Sequence, residues 1–499
     1  MNANLNWNPD KIYDYLIIGS GMGGSAVVSA LAESGSSILM VERGDFIRQE
    51  KENWSVPELA LNRRYAAEEK WLDSRGNEFT PRMYYNVGGN SKFFGGSAFR
   101  LREKDFDSQW PLDYSEMAPW YKKAEEILGV RGKQGEDPTE PSDQSYPLPP
   151  IPHEQAVRDL SRKLTKQGLH PFHLPIAVDQ GPEGRCRKGS PCDGFPCMVR
   201  AKGDAENRML RPLLLKESSP LTFLTNTRAL RLLAGPDNTI TGAVLFRNGK
   251  EYIQKARRVI LSAGAVNSAA LLLNSADTDM PEGLANSSGY VGRCYMAHTN
   301  TVLLALSLFR KNPTVFQKTL AVNDFYNQGW GNIQLRGKVK KEMLQNKKQL
   351  AFRLFPDFIA QRSMDLWLMS EDSPNPENRV TFENGRIRIN LNPTENRGHE
   401  KLIRAARKMM RKAGYPLLFT DRRGIEAVQH QCGTLRMGGN SDNSVLNKWC
   451  RSWDHPNLYV VDASFFPASA AVNPALTIAA MGLRVGTYLK NLPHKGDLC

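Results

Sequence analysis

The feature that most constrains the fold of this chain is a glycine pattern between two short apolar runs near the N-terminus. Residues 15–18 form the first run, which is typical of a buried parallel strand. Gly19, Gly21 and Gly24 follow in the order G-x-G-x-x-G, and residues 25–33 are predicted to form a helix. In this arrangement the first glycine permits a tight turn, the second lets the backbone approach a pyrophosphate, and the third lets the helix pack on the strand. The pattern predicts a dinucleotide-binding βαβ unit.

The second apolar run, residues 38–41, supports this prediction because an acid follows it directly. Glu42 lies 18 residues after Gly24, close to the spacing of about 20 residues expected for a carboxylate that binds the ribose. An acid at this position disfavours a 2′-phosphate, so the residues favour FAD or NAD over NADP. Met22 lies between the second and third glycines, where helix N–H groups bind phosphates, and we expect it to contact the cofactor.

Length and composition are those of an ordinary globular protein. The 499 residues suffice for two domains with large cores, and 40% hydrophobic with 24% charged residues is typical of soluble proteins. No apolar run is long enough to span a bilayer. The polar start, MNANLNWNPDK, lacks the pattern of a secretory signal, so we expect a cytoplasmic protein or one from which a targeting segment has already been removed.

The net charge of +14 is the unusual bulk property of the chain. The simplest interpretation is a solvated basic surface. The alternatives are an anionic substrate, an acidic electron-acceptor protein or an anionic membrane face. The sequence contains no nucleic-acid-binding motif and no long block of Lys and Arg, so we do not expect a nucleic acid partner.

The pattern changes in the middle of the chain. A hairpin with its turn at Asn248-Gly249 leads to a strand that ends near Gly264 and enters a helix rich in Ala and Leu. Apolar and polar residues then alternate in TVLLALSLF, WGNIQLRG, LAFRLFPDF, MDLWLMS and RVTFENGRIRINL. This alternation predicts an antiparallel sheet between residues 301 and 391, followed by a helix over 399–413. Inserted between pieces of the nucleotide-binding domain, such a sheet is expected to form a wall of the substrate site.

Several motifs, taken in order, resemble those of the glucose–methanol–choline (GMC) oxidoreductases. They are NVGGNSKFFGGSAFR, WPLDYSEMAPWYKKAEEILGV, SAGAVNSAALLL, SPNPENRVTF, HQCGTLRMG and NLYVVDASFFPASAAVNPALTIAA. The resemblance covers nearly the whole chain and is nearest to the bacterial dehydrogenase-like and pyranose-oxidase-like branches. It implies an α/β fold with a Rossmann-like, glutathione-reductase-like FAD-binding domain and an inserted antiparallel-sheet substrate-binding domain. We expect the first at residues 1–130, 200–300 and 420–499, a connecting loop and helix segment at 131–199, and the second at 301–419.

The resemblance also implies the chemistry. It identifies His430 as the active-site base and Asn473 as its partner. A neutral imidazole accepts the hydroxyl proton near pH 7, while an amide orients the alcohol for hydride transfer to flavin N5. Some relatives attach FAD covalently through a histidine, but Phe93 stands at the matching place, so we predict non-covalent FAD.

Further contacts with FAD follow from the same resemblance. We expect them from the loop along the ribityl chain and flavin ring, from the βα turns and from the C-terminal motif. The residues are Gly88, Gly89, Asn90, Gly95, Ala229, Gly264, Asp462, Asn473 and Pro474. His298, in GRCYMAHTN, is predicted to be structural.

The favoured function is an FAD-dependent dehydrogenase or oxidase acting on the CH–OH group of a small-molecule alcohol or sugar. The resemblance favours a sugar, glycoside or polyol, and the electron acceptor is O2 or a redox partner. Two alternatives stay open. One is a biosynthetic tailoring oxidase acting on a larger scaffold, and the other is a non-redox FAD enzyme, a lyase or decarboxylase, on the same fold.

The seven cysteines, an odd number, argue against a disulfide framework. Cys186, Cys192 and Cys197 cluster in one segment. In some dehydrogenase relatives three cysteines with similar spacing hold an iron–sulfur cluster that passes electrons to a cytochrome. The alternatives are a zinc site and an ordered loop without metal, and we favour the loop without metal.

Overall fold

The computed structural model describes residues 7–107, 109–189, 191–345, 347, 349–392, 396–427 and 430–492. Its strands are β1 (Tyr13–Ile18), β2 (Ile38–Val41), β3 (Trp71–Leu72), β4 (Glu78–Phe79), β5 (Pro171–His173), β6 (Leu221–Leu224), β7 (Thr227–Ala234), β8 (Ile240–Arg247), β9 (Lys250–Leu261), β10 (Met296–Ala297), β11 (Thr299–Leu306), β12 (Leu320–Val322), β13 (Asn332–Leu335), β14 (Ser363–Ser370), β15 (Arg379–Glu383), β16 (Arg386–Asn390), β17 (Leu417–Arg422), β18 (Gln431–Cys432) and β19 (Leu458–Val460). Its α-helices are α1 (Met22–Leu31), α2 (Tyr114–Leu128), α3 (Gln155–Thr165), α4 (Arg211–Leu214), α5 (Ala265–Leu273), α6 (Lys341–Gln345), α7 (Leu350–Leu354), α8 (Pro356–Arg362), α9 (Asn396–Lys412) and α10 (Ala475–Lys490). None of the helices in these ranges combines the length and apolar character needed to cross a bilayer.

The first sheet contains the predicted βαβ unit. Its strand order is β6-β2-β1-β9-β8-β7, with β19 also paired to β9. β1 runs parallel to β2 and β9, with Ile18 opposite both Val41 and Leu261. The long strand β9 forms a hairpin with β8 in its first half and lies parallel to β1 and β19 in its second half. Asn248 and Gly249 have φ angles of 51° and 78°, as a two-residue hairpin turn of this type requires, so the predicted turn is present.

Helix α10, from the C-terminal part of the chain, packs directly on α1. A Cβ added to Gly482 would lie 2.6 Å from the Cβ of Ala26, so only glycine lets the two helices approach this closely. The hydroxyl of Tyr15 on β1 donates a hydrogen bond of 3.1 Å to the carbonyl of Leu489 on α10. The N-terminal and C-terminal parts therefore share one buried core.

The second sheet is antiparallel, with the strand order β17-β11-β14-β13-β12-β5. Successive side chains of a strand point to opposite faces. On β11, Leu303 and Ala305 pack with α3 and α9, whereas Val302 and Leu304 pack with α6, α7 and α8. Asn300 lies on the face of Val302, because the two residues are two positions apart.

Two segments contribute to sheets other than those expected from the sequence. Residues 155–173, predicted as part of the connecting segment, supply α3 and the edge strand β5 to the second sheet. Residues 379–390, predicted within the inserted sheet, form β15 and β16 and pair with β3 and β4 in a separate four-stranded sheet. The division of the chain into domains stays a prediction.

The prediction of a strand at residues 350–358 is wrong. This stretch forms α7 and the start of α8, which begins at Pro356, a residue favoured at the first position of a helix. The buried apolar side chains are Phe352 and Ile359, seven residues apart and so about two helical turns apart. A strand would instead bury alternate residues. The sequence LAFRLFPDF alternates apolar and polar residues only in part, and the burial of its side chains follows the helical spacing.

The buried ion pair between Arg100 and Glu125 predicts a large stability effect. Two parallel hydrogen bonds of 2.9 and 2.8 Å join the groups, and each side chain is 1% exposed. Arg100→Met would leave the Glu125 charge buried without its partner, and we expect a loss of about 3–5 kcal/mol in urea unfolding. Lys70→Met is the control, because its pair with Glu78 is exposed and is worth less than about 1 kcal/mol. Equal losses in the two variants would contradict the prediction.

Candidate active site

A cavity of about 590 Å³ is lined by residues of both large sheets. At one end its wall includes Gly21, in the turn between β1 and α1, and Glu42, directly after β2. At the other end it includes His430 and Asn473. This volume lies within the range of ligand and cofactor pockets. The fold thus brings the N-terminal dinucleotide pattern and the C-terminal His–Asn pair to one cavity.

Glycine is required in and next to the β1–α1 turn for two different structural reasons. A Cβ at Gly23 would lie 1.8 Å from the carbonyl oxygen of Val461, and one at Gly24 would lie 2.1 Å from that of Gly19. Gly19 has a φ of 100°, in the region that favours glycine. A Cβ at Gly21, in contrast, would meet no atom within 4 Å, because Gly21 faces the cavity. Close backbone packing explains three glycines, and open space next to the cavity explains Gly21.

The residues at this end of the cavity fit FAD. Gly21, Met22 and Gly23 line the wall, and no side chain of the described residues caps the N-terminus of α1, so its first-turn N–H groups are available to phosphates. The Nδ2 atom of Asn267, also on the wall, is buried and has no hydrogen-bond partner in the described part of the chain. A Cβ at Gly264 would meet open space. The wall therefore offers free donors and room for a phosphate-containing cofactor.

Glu42 and Asp462 line the cavity but also fix the backbone around it. Glu42 accepts hydrogen bonds from the Ser20 amide at 3.0 Å and the Ser20 hydroxyl at 2.7 Å. Asp462 accepts from the amides of Gly264 at 2.9 Å and Ser464 at 2.8 Å. Burial raises the pKa of both carboxyl groups, and these hydrogen bonds oppose the rise. A direct contact of either group with the cofactor stays a prediction.

Most residues predicted to contact FAD lie on the wall of this cavity. They are Gly19, Gly21, Met22, Glu42, Gly89, Asn90, Gly95, Ala229, Gly264, Asp462, Asn473 and Pro474. The other two, Gly24 and Gly88, are not part of the cavity wall. Gly24 packs against the backbone of the β1–α1 turn, and Gly88 has a φ of 86° directly before a short 3-10 helix. Phe93 lines the cavity and stacks on Tyr84, with ring centroids 3.8 Å apart. Non-covalent FAD stays the prediction, because a phenyl ring cannot form the histidyl bond.

His430 and Asn473 are adjacent at the other end of the cavity. The Asn473 Nδ2 atom lies 3.4 Å from His430 Nε2. Burial lowers the pKa of His430 well below its usual range, with smaller contributions from His298 and Lys318, so the ring is neutral at pH 7. His430 also has a φ of 65°, a conformation that is uncommon outside glycine and concentrates at functional sites.

His298 determines which nitrogen of His430 carries the proton. His298 Nε2 lies 3.2 Å from the carbonyl oxygen of Ser469, which only accepts, so this nitrogen is protonated. Burial lowers the pKa of His298 to about 4, so at pH 7 its Nδ1 atom is an acceptor. His430 Nδ1, at 3.0 Å, therefore donates to His298. The Nε2 atom of His430 is left without a proton and faces Asn473.

Gln334 determines the orientation of the Asn473 amide. Gln334 Nε2 donates to Asn473 Oδ1 at 3.0 Å, and the Ser97 hydroxyl donates to Gln334 Oε1 at 2.8 Å. Because the Asn473 oxygen is bound in this way, its Nδ2 atom is the one that faces His430. Gln334 lies on β13 opposite Trp367 on β14 and shares its face, so the second sheet positions the amide.

An ion pair from the cysteine-containing loop lies on the same wall. Lys318 Nζ lies 2.9 Å from Asp193 Oδ2, and the side chains are 6% and 13% exposed. The pair lies against Gly95, where a Cβ would be 2.1 Å from Lys318 Nζ. Burial favours the neutral acid, but Lys318 and Arg336 hold the pKa of Asp193 well below its usual range, so it is ionised.

The three cysteines of this loop gain no support as metal ligands. Within the described ranges, no group of three or more His, Cys, Asp or Glu side chains is arranged to hold a metal ion. Burial raises the pKa of Cys192 to about 11 and also raises that of Cys186. Both are therefore thiols at pH 7 in the metal-free protein, and the ordered loop without metal stays a prediction.

Sequence reasoning missed four residues of this site: His298, Gln334, Asp193 and Lys318. We predicted a structural role for His298, whereas the ring hydrogen-bonds to His430. β13 has the sequence NIQL and all four residues are buried, and the alternation of polar and apolar letters does not reveal that Gln334 is among the buried ones. No local signal identified Asp193 or Lys318, because their pairing joins residues 125 positions apart.

Comparison with known proteins places these observations in a family context. Two family models, each described as GMC oxidoreductase, match residues 156–299 and 374–482. The chain is 30% identical to paromamine 6'-oxidase of Streptomyces fradiae, over 95% of this chain and 91% of that protein. It is 27% identical to 2-methyl-1,2-propanediol dehydrogenase of Mycolicibacterium austroafricanum, over 95% of each. The solved structure of formate oxidase from Aspergillus oryzae shares the fold, with a TM-score of 0.69 and 15% identity over 97% of this chain and 99% of that chain.

Substitutions at Gly21 and Gly23 are expected to separate cofactor binding from folding. Gly21→Ala has room in the protein, but its methyl group would occupy space next to the phosphates, so FAD retention should fall while the FAD-free protein keeps its unfolding temperature. Gly23→Ala would collide with the Val461 carbonyl and should lower the stability of the FAD-free protein by about 1–3 kcal/mol as well. The ratio of flavin to protein absorbance after gel filtration, together with thermal unfolding, measures both effects.

Gly439→Ala is the matched control, because Gly439 is exposed and a Cβ there meets open space. It should change neither quantity. Wild-type FAD retention in Gly21→Ala, or equal loss of apoprotein stability in Gly21→Ala and Gly23→Ala, would contradict the assignment.

Proposed function

Because this chain belongs to the GMC oxidoreductase family, we propose that it oxidises a hydroxyl group of a sugar, glycoside or polyol, with His430 as the base. Members of the family bind FAD, and the chain is an FAD-dependent oxidoreductase that acts on CH–OH groups. The observation that carries the proposal is the hydrogen-bond chain from the Ser469 carbonyl through His298 to His430 Nδ1, which leaves His430 Nε2 as the acceptor beside Asn473 on the cavity wall.

Each residue of the site has a separate role in the proposed reaction. When bound, FAD supplies the oxidant that takes a hydride from the alcohol carbon. His430 Nε2 accepts the hydroxyl proton, and Asn473 Nδ2 donates a hydrogen bond to the same oxygen and so fixes the direction of the C–H bond. His298 is a positioning residue, since it holds His430 in one tautomer. The Asp193 charge favours the imidazolium that forms, but its partner Lys318 opposes the imidazolium more strongly.

A polyhydroxylated substrate is supported by the wall of the cavity. Trp367 provides an aromatic face, while Ser97, Asn300 and Gln334 provide hydrogen-bonding groups around it. The names of the relatives fit this class, since one refers to paromamine and another to a propanediol. A tailoring enzyme acting on a larger scaffold would use the same residues, and the relative named for paromamine favours this variant of the proposal.

Anaerobic flavin reduction tests the function directly. The purified FAD-loaded protein is mixed without oxygen with a panel of sugars, glycosides and polyols, and bleaching of the flavin band is followed. At least one member should bleach the flavin, and His430→Ala should slow this step about 100-fold or more while keeping bound FAD. Readmitted oxygen then distinguishes an oxidase from a dehydrogenase. An intact flavin band with every alcohol would overturn the proposal, and unchanged reduction in His430→Ala would overturn the role of His430.

The depressed pKa of His430 predicts the pH dependence of flavin reduction. Because the pKa of His430 in the folded protein is lowered, the imidazole stays neutral at pH values below the ordinary pKa of 6.5. Flavin reduction should therefore persist below pH 6.5 and be lost only as the pH falls through the lowered pKa. The limiting reduction rate should therefore be flat from about pH 8 down to about pH 6.5. Anaerobic stopped-flow absorbance measures it. A rate that is halved at about pH 6.5 would indicate an unperturbed imidazole and contradict the buried, neutral ring.

A further inference from the structure

Two arginines line the cavity without matching negative charges. In the described part of the chain, the Arg82 guanidinium makes no hydrogen bond or ion pair. Arg423 Nη1 lies 3.2 Å from Asp421 Oδ2, but the same oxygen lies 2.6 Å from Lys347 Nζ. One carboxylate is therefore shared by two cations, and Arg82 adds a third positive charge.

The backbone holds Arg82 and Arg423 in the same region. The Arg423 amide donates to the Asn300 carbonyl at 3.0 Å, and the Arg82 amide donates to the Glu426 carbonyl at 3.1 Å, three residues further along. Burial, followed by the positive charge of Arg82, lowers the pKa of Arg423, so the two guanidinium groups are close enough to repel each other. Two like charges held together in a cavity attract an anion.

The second sheet orients these groups along one face. Arg423, just after β17, lies opposite Asn300 on β11, which in turn lies opposite Met369 on β14. Residues directly opposite each other share a face, and this face also carries Trp367. Asn300 is 8% exposed and lines the cavity, and its Oδ1 atom has no hydrogen-bond partner within the described ranges. An unpaired buried acceptor beside two arginines indicates a place for a polar ligand.

Two of the carboxylates on the cavity wall already have cationic partners, and one of them is Glu69, which pairs with Arg43 at 2.8 Å. The Asp193 carboxylate is already paired with Lys318. Arg336 stacks on Trp367 at 4.9 Å, and its Nε atom lacks a hydrogen-bond partner among the described residues. The chain as a whole carries a net charge of +14. The positive potential of the cavity therefore adds to that of the protein.

We propose that Arg82, Arg423 and Asn300 form an anion subsite that binds a carboxylate or phosphate group of the substrate. This inference rests on the proposed function and names its substrate class, an acidic or phosphorylated sugar or polyol. Guanidinium groups bind such anions through paired, charge-assisted hydrogen bonds, and Asn300 Oδ1 accepts from a neighbouring hydroxyl.

The position of the anion subsite separates the anion from the reacting hydroxyl. Arg423 follows β17, whereas Gln334, which contacts Asn473, lies on β13. The strand order places three interstrand steps between them, or about 14 Å from backbone to backbone. The long arginine side chain covers part of this distance. The anion and the oxidised hydroxyl are therefore several bonds apart in the substrate.

Four probes with the same six-carbon chain test the subsite. D-gluconate carries a carboxylate, D-glucitol 6-phosphate a phosphate, D-glucitol no charge and D-glucamine an ammonium group. Calorimetry of the FAD-loaded protein at low ionic strength gives their dissociation constants. At least one anion should bind about ten- to hundredfold more tightly than glucitol, and glucamine should bind most weakly. The tighter of the two anions identifies carboxylate or phosphate as the group recognised.

Charge-removing variants assign the preference to these arginines. In the double variant Arg82→Gln with Arg423→Gln, the anion should bind no more tightly than glucitol. Arg422→Gln is the matched control, because Arg422 is the preceding residue, is exposed and pairs with Glu400 at 3.0 Å, and it should keep the preference. FAD content and unfolding temperature are measured for each variant. If the double variant misfolds, Arg82→Gln alone should weaken anion binding about tenfold or more.

The outcomes separate the subsite from the proposed function. Equal binding of glucitol and both anions, tighter binding of glucamine, a preference that survives in the double variant, or no binding by any probe would overturn the subsite. If a neutral alcohol nevertheless bleaches the flavin, the proposed function stands. If the anion preference depends on the two arginines but no alcohol bleaches the flavin, the function fails and the binding site stands.

Discussion

The close approach of backbone segments around the β1–α1 turn is the constraint on which the rest of this structure depends. Gly23 lies against the Val461 carbonyl at the end of β19, and Gly19 lies against the Ser262 carbonyl at the end of β9. No side chain fits between these segments, so strands from three distant parts of the sequence end at one place. Asp462, directly after β19, bridges the same turns through its hydrogen bonds. The cofactor end of the cavity is the space that remains in front of this junction.

At the other end of the cavity, a chain of hydrogen bonds links the Ser469 carbonyl, His298 and His430. A group that can only accept determines which atoms along this chain donate. The Ser469 carbonyl accepts and never donates, so it fixes the tautomer of His298 and, through it, that of His430. Gln334 orients the Asn473 amide through the hydrogen bond that its Nε2 atom donates to Asn473 Oδ1. Burial keeps both rings neutral, since it disfavours the charged imidazolium. The imidazole that must receive a proton is thus neutral before the reaction begins.

The sequence predicted those parts of the structure whose signals are local. The glycine spacing, the apolar run of β2 and the Asn248-Gly249 turn all lie within short windows, and the helix predicted at 399–413 occurs at Asn396–Lys412. The strand predicted at residues 350–358 is absent, because the order of apolar and polar residues does not reveal which side chains are buried. Contacts of the site escaped prediction because they span long separations. Gln334 and Asn473 are 139 positions apart, and the local sequence around either residue does not predict that the two are in contact.

The packing of α10 on α1 has a consequence for how the protein is made. The hydrogen bond between Tyr15 and Leu489 joins residues 474 positions apart. At about 5–20 residues per second, a ribosome needs roughly half a minute to a minute and a half to synthesise the chain between them. During most of that time the face of α1 that packs on α10 is uncovered, and the strand that ends at Val460 does not yet exist. The nascent chain therefore contains the glycine pattern of the β1–α1 turn long before it can bind a nucleotide. Until the last turns of α10 leave the ribosome, it depends on chaperones or on its own solubility.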